Sequence, residues 1–369
     1  MHRWVTVPLV LMLGLVLLPS LGPAAHGRES DETPRPVHAA QRFADPSVVS
    51  GPAGLIATST GPNVPRASAP DPAGPWTAET PALASLPTWA TGNAIWAADL
   101  QQVGDRWLLY YSVPVGGLGP EGRCIGVASS DTALGAFNPI GDRPLVCPKK
   151  ADTPRAYDVV PRARAGGLPL AGVIDPSVFV DSDRRTYLMY KTQSNPSSIR
   201  ILHLQKRGAR PSATGGVPEL STELLRSDGI MENPALVKRR TNYVLFTSQG
   251  KFSTCRYRTY WRRASTLAGL ATAEHHTLLS RANTGVCGPG GADPVRRGGA
   301  TVLFFHGWMC GSKAGPPYSH CPANFNLNHD AELGPRRALF AARLRFTGSD
   351  RPKVRFFYTP VEPPPPSPS

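Results

Sequence analysis

Acidic residues are scarce in this 369-residue chain: Asp and Glu total 26 against 40 Lys and Arg, a formal net charge of +14. Such an excess suits a solvated surface or attachment to an anionic wall polymer. The basic residues do not alternate with aromatics in a binding motif, which sets nucleic acid aside. Long apolar runs are also missing, apart from residues 5–18, which are interrupted by Pro8 and Gly14 and followed by Pro19. That stretch is too short to span a bilayer comfortably. With His2 and Arg3 before it and Ala24, Ala25 and Gly27 after it, residues 1–27 read as a secretory signal, and the absence of a nearby cysteine leaves a lipid anchor unsupported. Only six cysteines are present, none in a Cys-x-x-Cys spacing, which argues against zinc and for disulfides in an oxidising compartment. Of the fifteen connectivities possible for six cysteines, the local one is expected: Cys124 with Cys147, Cys255 with Cys287, and Cys310 with Cys321.

What the chain does have is a module, repeated five times, in which an acid precedes a hairpin. Asp45, Asp99, Asp175, Glu232 and Asp293 each stand before a short run rich in β-branched and aromatic residues, such as Trp-Leu-Leu-Tyr-Tyr-Ser-Val at 107–113 and Thr-Tyr-Leu-Met-Tyr-Lys-Thr at 186–192. The acids lie 54, 76, 57 and 61 residues apart, a period suited to one four-stranded propeller blade with its loops. The expected fold is an all-β, five-bladed β-propeller over residues 43–358, preceded by a mobile segment (28–42) and followed by a Pro-rich tail (359–369). If the acids hold equivalent places, repetition gathers them around one axis. The alternative is a β-sandwich in which Asp-Pro dipeptides are ordinary turns.

Eight basic residues, Arg106, Arg184, Arg185, Lys238, Arg239, Arg240, Arg296 and Arg297, fall in the turns that end the acid-bearing strands. Since a strand is extended, those turns should form a basic ring at the end of the propeller opposite the acids.

The residues also carry a family likeness. Ala-Asp-Pro-Ser at 44–47, Ile-Asp-Pro-Ser-Val-Phe-Val-Asp at 174–181 and Glu-Asn-Pro-Ala-Leu-Val-Lys-Arg at 232–239 resemble the three carboxylate motifs of glycoside hydrolase family 43. Ile-Trp-Ala-Ala-Asp-Leu at 95–100, Gly-Pro-Gly-Gly-Ala at 288–292 and Phe-His-Gly-Trp at 305–308 add to it, and the likeness covers nearly the whole mature chain. Asn233 stands where the family often has Gly, Ala98 where it often has Pro, and Gly291 where arabinanases often have His. The resemblance implies a secreted, inverting glycosidase of five-bladed form, acting on α-L-arabinofuranosides of the arabinan type or on β-xylosides of the xylan type.

The resemblance further implies that Asp45 is the general base, Glu232 the general acid, and Asp175 a modulator whose charge keeps the acid protonated. Trp96 would offer a stacking face to a sugar, and His306 would lie on the axis, often beside calcium or another cation. Each has a plainer role open to it: a carboxylate capping a turn, a tryptophan in the core, a structural histidine. Asp99 and Asp293 receive no catalytic role and are read as turn or blade-closing groups. A fructan-cleaving propeller is set aside because its Asn-Asp-Pro, Arg-Asp-Pro and Glu-Cys signatures are absent. A wall lectin that has lost catalysis is the alternative of another class.

Overall fold

In the computed structural model, residues 33–51, 54–160, 171–312 and 315–361 are described. The expected signal at 1–27 and the tail from 362 onward lie outside them. No helix among the described residues is long and apolar enough to cross a membrane.

The fold is an all-β propeller. Twenty strands make five antiparallel four-stranded paths, each from one contiguous part of the chain. The first path is β1 (Ser47–Gly51), β2 (Gly54–Thr58), β3 (Arg66–Ala69) and β4 (Thr77–Glu79). The second is β5 (Ala94–Val103), β6 (Arg106–Pro114), β7 (Arg123–Ser130) and β8 (Val146–Pro148), and the third is β9 (Val173–Val180), β10 (Thr186–Thr192), β11 (Ser197–Leu204) and β12 (Thr222–Ser227). The fourth is β13 (Met231–Lys238), β14 (Tyr243–Gln249), β15 (Arg258–Ala264) and β16 (His276–Leu279); the fifth is β17 (Cys287–Arg297), β18 (Ala300–Ser312), β19 (Arg336–Phe346) and β20 (Pro352–Phe357).

The uniform set of five four-stranded blades expected from the repeat does not form. The second sheet grows to seven strands by taking on Gly61–Pro62, Asn138–Pro139 and Asp158–Val160, and the fifth to five by adding Gly315–His320. Free sheet edges invite extra pairing, and the long connections around the second and fifth paths supply it.

Apolar cores lie between adjacent sheets. Tyr190 and Val127 sit in the layer between the second and third, Met189 and Leu245 in the next, Phe246 and Phe340 in the next. Phe43, Leu55 and Phe304 fill the layer between the last sheet and the first, and Ile95, Leu109 and Tyr111 the one between first and second. The start of the chain fastens onto the end: Leu339 exchanges backbone hydrogen bonds with Val37 and His38, and the Phe43 N–H donates to the Arg337 carbonyl.

The disulfides are the three local ones, Cys124–Cys147, Cys255–Cys287 and Cys310–Cys321.

The repeat acids are not equivalent in space. The conformation that recurs in the innermost strands is a left-handed residue: Asp45 (φ 49°), Ala97 (41°), Asp175 (56°), Asn233 (49°) and Gly291 (61°). The pairing register shifts there in β5, β9, β13 and β17, as a bulge requires. Asp45 and Asp175 therefore match each other, Glu232 precedes its position by one residue, and Asp99 and Asp293 follow theirs by two. A repeat aligned on acids misses this because the bulge, not the carboxylate, is the repeating unit.

Candidate active site

The five left-handed positions meet on the axis. Asp45–Ser47, Ala97–Asp99, Asp175–Ser177, Asn233–Ala235 and Gly291–Asp293 together line a cavity of about 40 Å³. Aiming a side chain out of a strand is what a bulge does, so these positions suit chemistry as well as geometry.

Asp45 is nearly enclosed. Arg337 Nη1 lies 3.2 Å from each carboxylate oxygen, the Thr60 hydroxyl donates to Oδ2 at 2.8 Å, and the Asn233 amide reaches Oδ1 at 3.4 Å. Burial pushes its pKa up, but Arg337 and these hydrogen bonds outweigh burial and hold the carboxyl below its usual range. An ionised carboxylate held this way is equipped to accept a proton.

Glu232 and Asp175 form the other part. Lys191 Nζ lies 2.6 Å from Glu232 Oε2, with both side chains largely buried. The Tyr257 hydroxyl is 2.7 Å from Glu232 Oε1 and 2.7 Å from Asn233 Oδ1. Tyr257 has one proton to share between those two acceptors and so joins Glu232 to Asn233. Lys191 sets a positive charge against the same carboxyl. Asp175 accepts the Asn233 N–H at 2.9 Å, and burial and the neighbouring Glu232 push its pKa up to about 7 against the opposing pull of Lys191. Asn233 thus touches both other carboxylate sites: its backbone holds Asp175, its side chain Asp45.

His306 is fully buried on the axis and stacked on Tyr257, ring centroids 5.8 Å apart. Its Nδ1 accepts the Asp45 N–H at 3.0 Å. Burial, then Arg337, pushes its pKa down to about 3, so the ring is neutral and its 3.5 Å approach to the Asp45 carboxylate is no ion pair. With Nδ1 accepting, the proton stands on Nε2, a buried atom without a partner. A protonated Nε2 donates and does not ligate, and the described residues hold no group of three or more His, Cys, Asp or Glu suited to a metal. In this tautomer His306 does not ligate a cation directly.

Trp96 stands one residue before the Ala97 bulge, but the Arg123 guanidinium lies 3.2 Å above its ring. One face of the indole is covered, leaving a sugar only the other.

The deeper pair behaves as blade-closing groups. Asp99 accepts the Ser47 hydroxyl at 2.8 Å and the Val178 N–H at 2.7 Å, and Asp293 accepts the Val48 N–H at 2.6 Å. Each thereby ties its own sheet to an innermost strand of another.

Lys191, Tyr257, Thr60 and Arg337 escaped the sequence reading. Lys191 left a signal, a lone charge near the end of an otherwise apolar strand, paired in register with Ile174 beside Asp175. Arg337 left none, since it reaches Asp45 across 292 residues of chain.

The family model for Glycosyl hydrolases family 43 matches residues 34–320. A curated relative, Arabinan endo-1,5-alpha-L-arabinosidase B of Emericella nidulans, is 32% identical over 173 residues, which are 46% of this chain and 37% of that protein. The chain thus aligns with well under half of that relative. Among solved structures, a thermostable family-43 glycoside hydrolase is similar at TM-score 0.66 and 18% identity, covering 90% of this chain and 99% of the other. The Cellvibrio cellulosa alpha-L-arabinanase complexed with arabinohexaose is similar at TM-score 0.59 and 17% identity, over 88% and 100%. An endo-1,4-beta-xylanase of Bacteroides thetaiotaomicron gives 0.61 and 17%, over 89% and 99%. At these identities the structural likeness concerns the fold.

Proposed function

The chain belongs to glycosyl hydrolases family 43, and from that premise we propose that it is a secreted glycosidase cleaving α-L-arabinofuranosidic bonds of cell-wall polysaccharide with inversion. The observation that carries this reading is the division of labour among three converging carboxyls. Asp45 is held ionised by Arg337, while Glu232, between Lys191 and Tyr257, crowds a buried Asp175 whose pKa burial and the Glu232 charge push up. In this reading Asp45 takes a proton from water as its oxygen attacks the anomeric carbon, and Glu232 gives its proton to the departing sugar oxygen. Asp175, through the Asn233 backbone, positions both. No step is routed through a metal.

Arabinan is preferred to xylan as substrate because the curated relative's name specifies it. Reading each sheet as one blade is supported by the five matching three-residue segments on the axis. Secretion is supported by the three disulfides, which belong to oxidising compartments.

A second reading, a carbohydrate-binding propeller without catalysis, is favoured by one contact: the Lys191 ammonium on Glu232 opposes the protonation that a general acid needs. Incubation with linear arabinan, arabinoxylan and xylo-oligosaccharides separates the two. The enzyme reading expects sugar release from arabinan that falls at least ~10²-fold in Glu232→Gln. Arabinan binding with no release, unchanged by Glu232→Gln, overturns it in favour of the lectin.

A further inference from the structure

On the side opposite the carboxylates, five arginines share one groove of about 520 Å³. They are Arg239 after β13, Arg296 in β17, Arg343 and Arg345 in β19, and Arg355 in β20; no Asp or Glu lines the groove. Arg239 and Glu232 belong to one extended run, which at ~3.3 Å per residue puts the groove roughly 20 Å from the catalytic end. Only some of these positive charges are provided for internally. Arg239 lies over the Phe346 ring at 4.3 Å, yet its Nε is buried without an acceptor. Asp350, the carboxylate whose charge Arg239 feels, already accepts Thr241 at 3.2 Å and Asn242 at 2.9 Å. Arg296, Arg345 and Arg355 are exposed.

Gathering five like charges in one groove costs repulsion that a surface serving only solubility avoids by spreading them. The cost is offset when an anion enters, and guanidinium, planar and weakly hydrated, pairs with carboxylate through two parallel hydrogen bonds. The groove also has an apolar part, with Leu344, Phe346 and Phe356 in its lining. A chain of bare phosphates has nothing to lay there, whereas a pyranose ring does.

We propose that this groove binds an acidic polysaccharide, a chain of uronic-acid residues, and so holds the protein on wall material while the opposite end works on neutral sugar chains. The site is independent of the hydrolytic reading and stands or falls separately.

The test is calorimetric titration of the full protein with a short oligogalacturonate and, separately, with poly(glycerol phosphate), at low and physiological salt. The variant R296S/R345S/R355S empties the exposed part of the groove. The variant R106S/R184N/R185S removes the same charge from other turns at that end of the propeller. The expected result is salt-sensitive binding of oligogalacturonate, weakened about tenfold or more by the groove variant and within about twofold of wild type in the other. Melting temperature and arabinoside hydrolysis should match wild type in both. Should the triple variant misfold, R345S and R355S singly give the same reading in smaller steps. Equal weakening by the two triple variants, tighter binding of poly(glycerol phosphate), or no binding by wild type overturns the proposal.

Discussion

Asp45 and Glu232 are linked through Asn233 and Tyr257 but stand in opposite surroundings, and substitution should separate their roles. Both Asp45→Ala and Glu232→Ala should lose at least ~10² in turnover on arabinan. On a dinitrophenyl arabinofuranoside, whose leaving group needs no proton, Glu232→Ala should recover activity and Asp45→Ala should not; steady-state kinetics on both substrates checks this, and equal losses overturn the assignment. Asp175 and Lys191 pull the acid site in opposite directions, which predicts opposite shifts of the alkaline limb of the pH–rate profile. Asp175→Asn removes a carboxyl whose own ionisation near pH 7 opposes that of the acid, and moves the limb down. Lys191→Met removes an ammonium 2.6 Å from Glu232 and moves it up, by about one to three pH units. Unmoved limbs with reduced rates would make both residues structural. The three carboxylates were legible in the sequence because each lies in a local motif; their partners were not, because Arg337 and Tyr257 arrive from outside those motifs, 292 residues from Asp45 and 25 from Glu232.

At the scale of a strand, the bulge is the device that repeats, and it makes a paired prediction. Ala97 adopts φ 41°, where a Cβ is strained, so Ala97→Gly should leave the fold as stable or stabilise it by up to about 1 kcal/mol. Gly291 adopts φ 61°, and an added Cβ would stand 2.8 Å from His306 Nδ1 and 3.1 Å from the Asp45 Cα. Gly291→Ala should therefore cost about 1–3 kcal/mol and disturb Asp45 with it. Chemical denaturation of the two variants measures both, and a neutral Gly291→Ala would mean that the site yields more readily than its packing implies. Strand existence was legible from aromatic and β-branched runs, and so was the strand direction that puts the basic turns away from the acids. Bulge positions were not, because an αL residue can be Asp, Ala, Asn or Gly and so leaves no single letter to find. The extra strands of the second and fifth sheets were equally hidden, being two- to six-residue pieces of connecting chain.

Across the whole molecule, buried acids set how stability follows pH. Burial raises Asp99 to about 6 and, with help from Asp99, raises Asp293 to about 8, while Asp175 stands at about 7. All three retain protons in the folded state that the unfolded chain releases near its ordinary carboxyl pKa of about 4. Stability is therefore present at low pH and lost as pH rises through each folded value. Above pH 7 Asp293 is still mostly protonated and Asp175 is finishing its titration, while His38 and His306 are neutral in the folded state and largely so in the unfolded. Unfolding free energy should fall between pH 7 and 8 with a slope of about 1–2 kcal/mol per unit, and Asp293→Asn should make it shallower, most clearly near pH 8 where Asp175 has finished titrating. Denaturant midpoints across that window test this; the same slope in the variant would remove Asp293 from the account.

The placing of Asp45 has one more consequence. Its carboxylate is gripped by Arg337, 292 residues further along the chain, and the strand beside it is held by Asp293. The setting of Asp45 is assembled only when the first and last parts of the ring have met. A chain whose residue 337 has yet to emerge holds the motifs of Asp45, Asp175 and Glu232 without that meeting. Recovery of hydrolysis during refolding would consequently lag behind the return of β-sheet signal, making catalysis a reporter of the final event in folding.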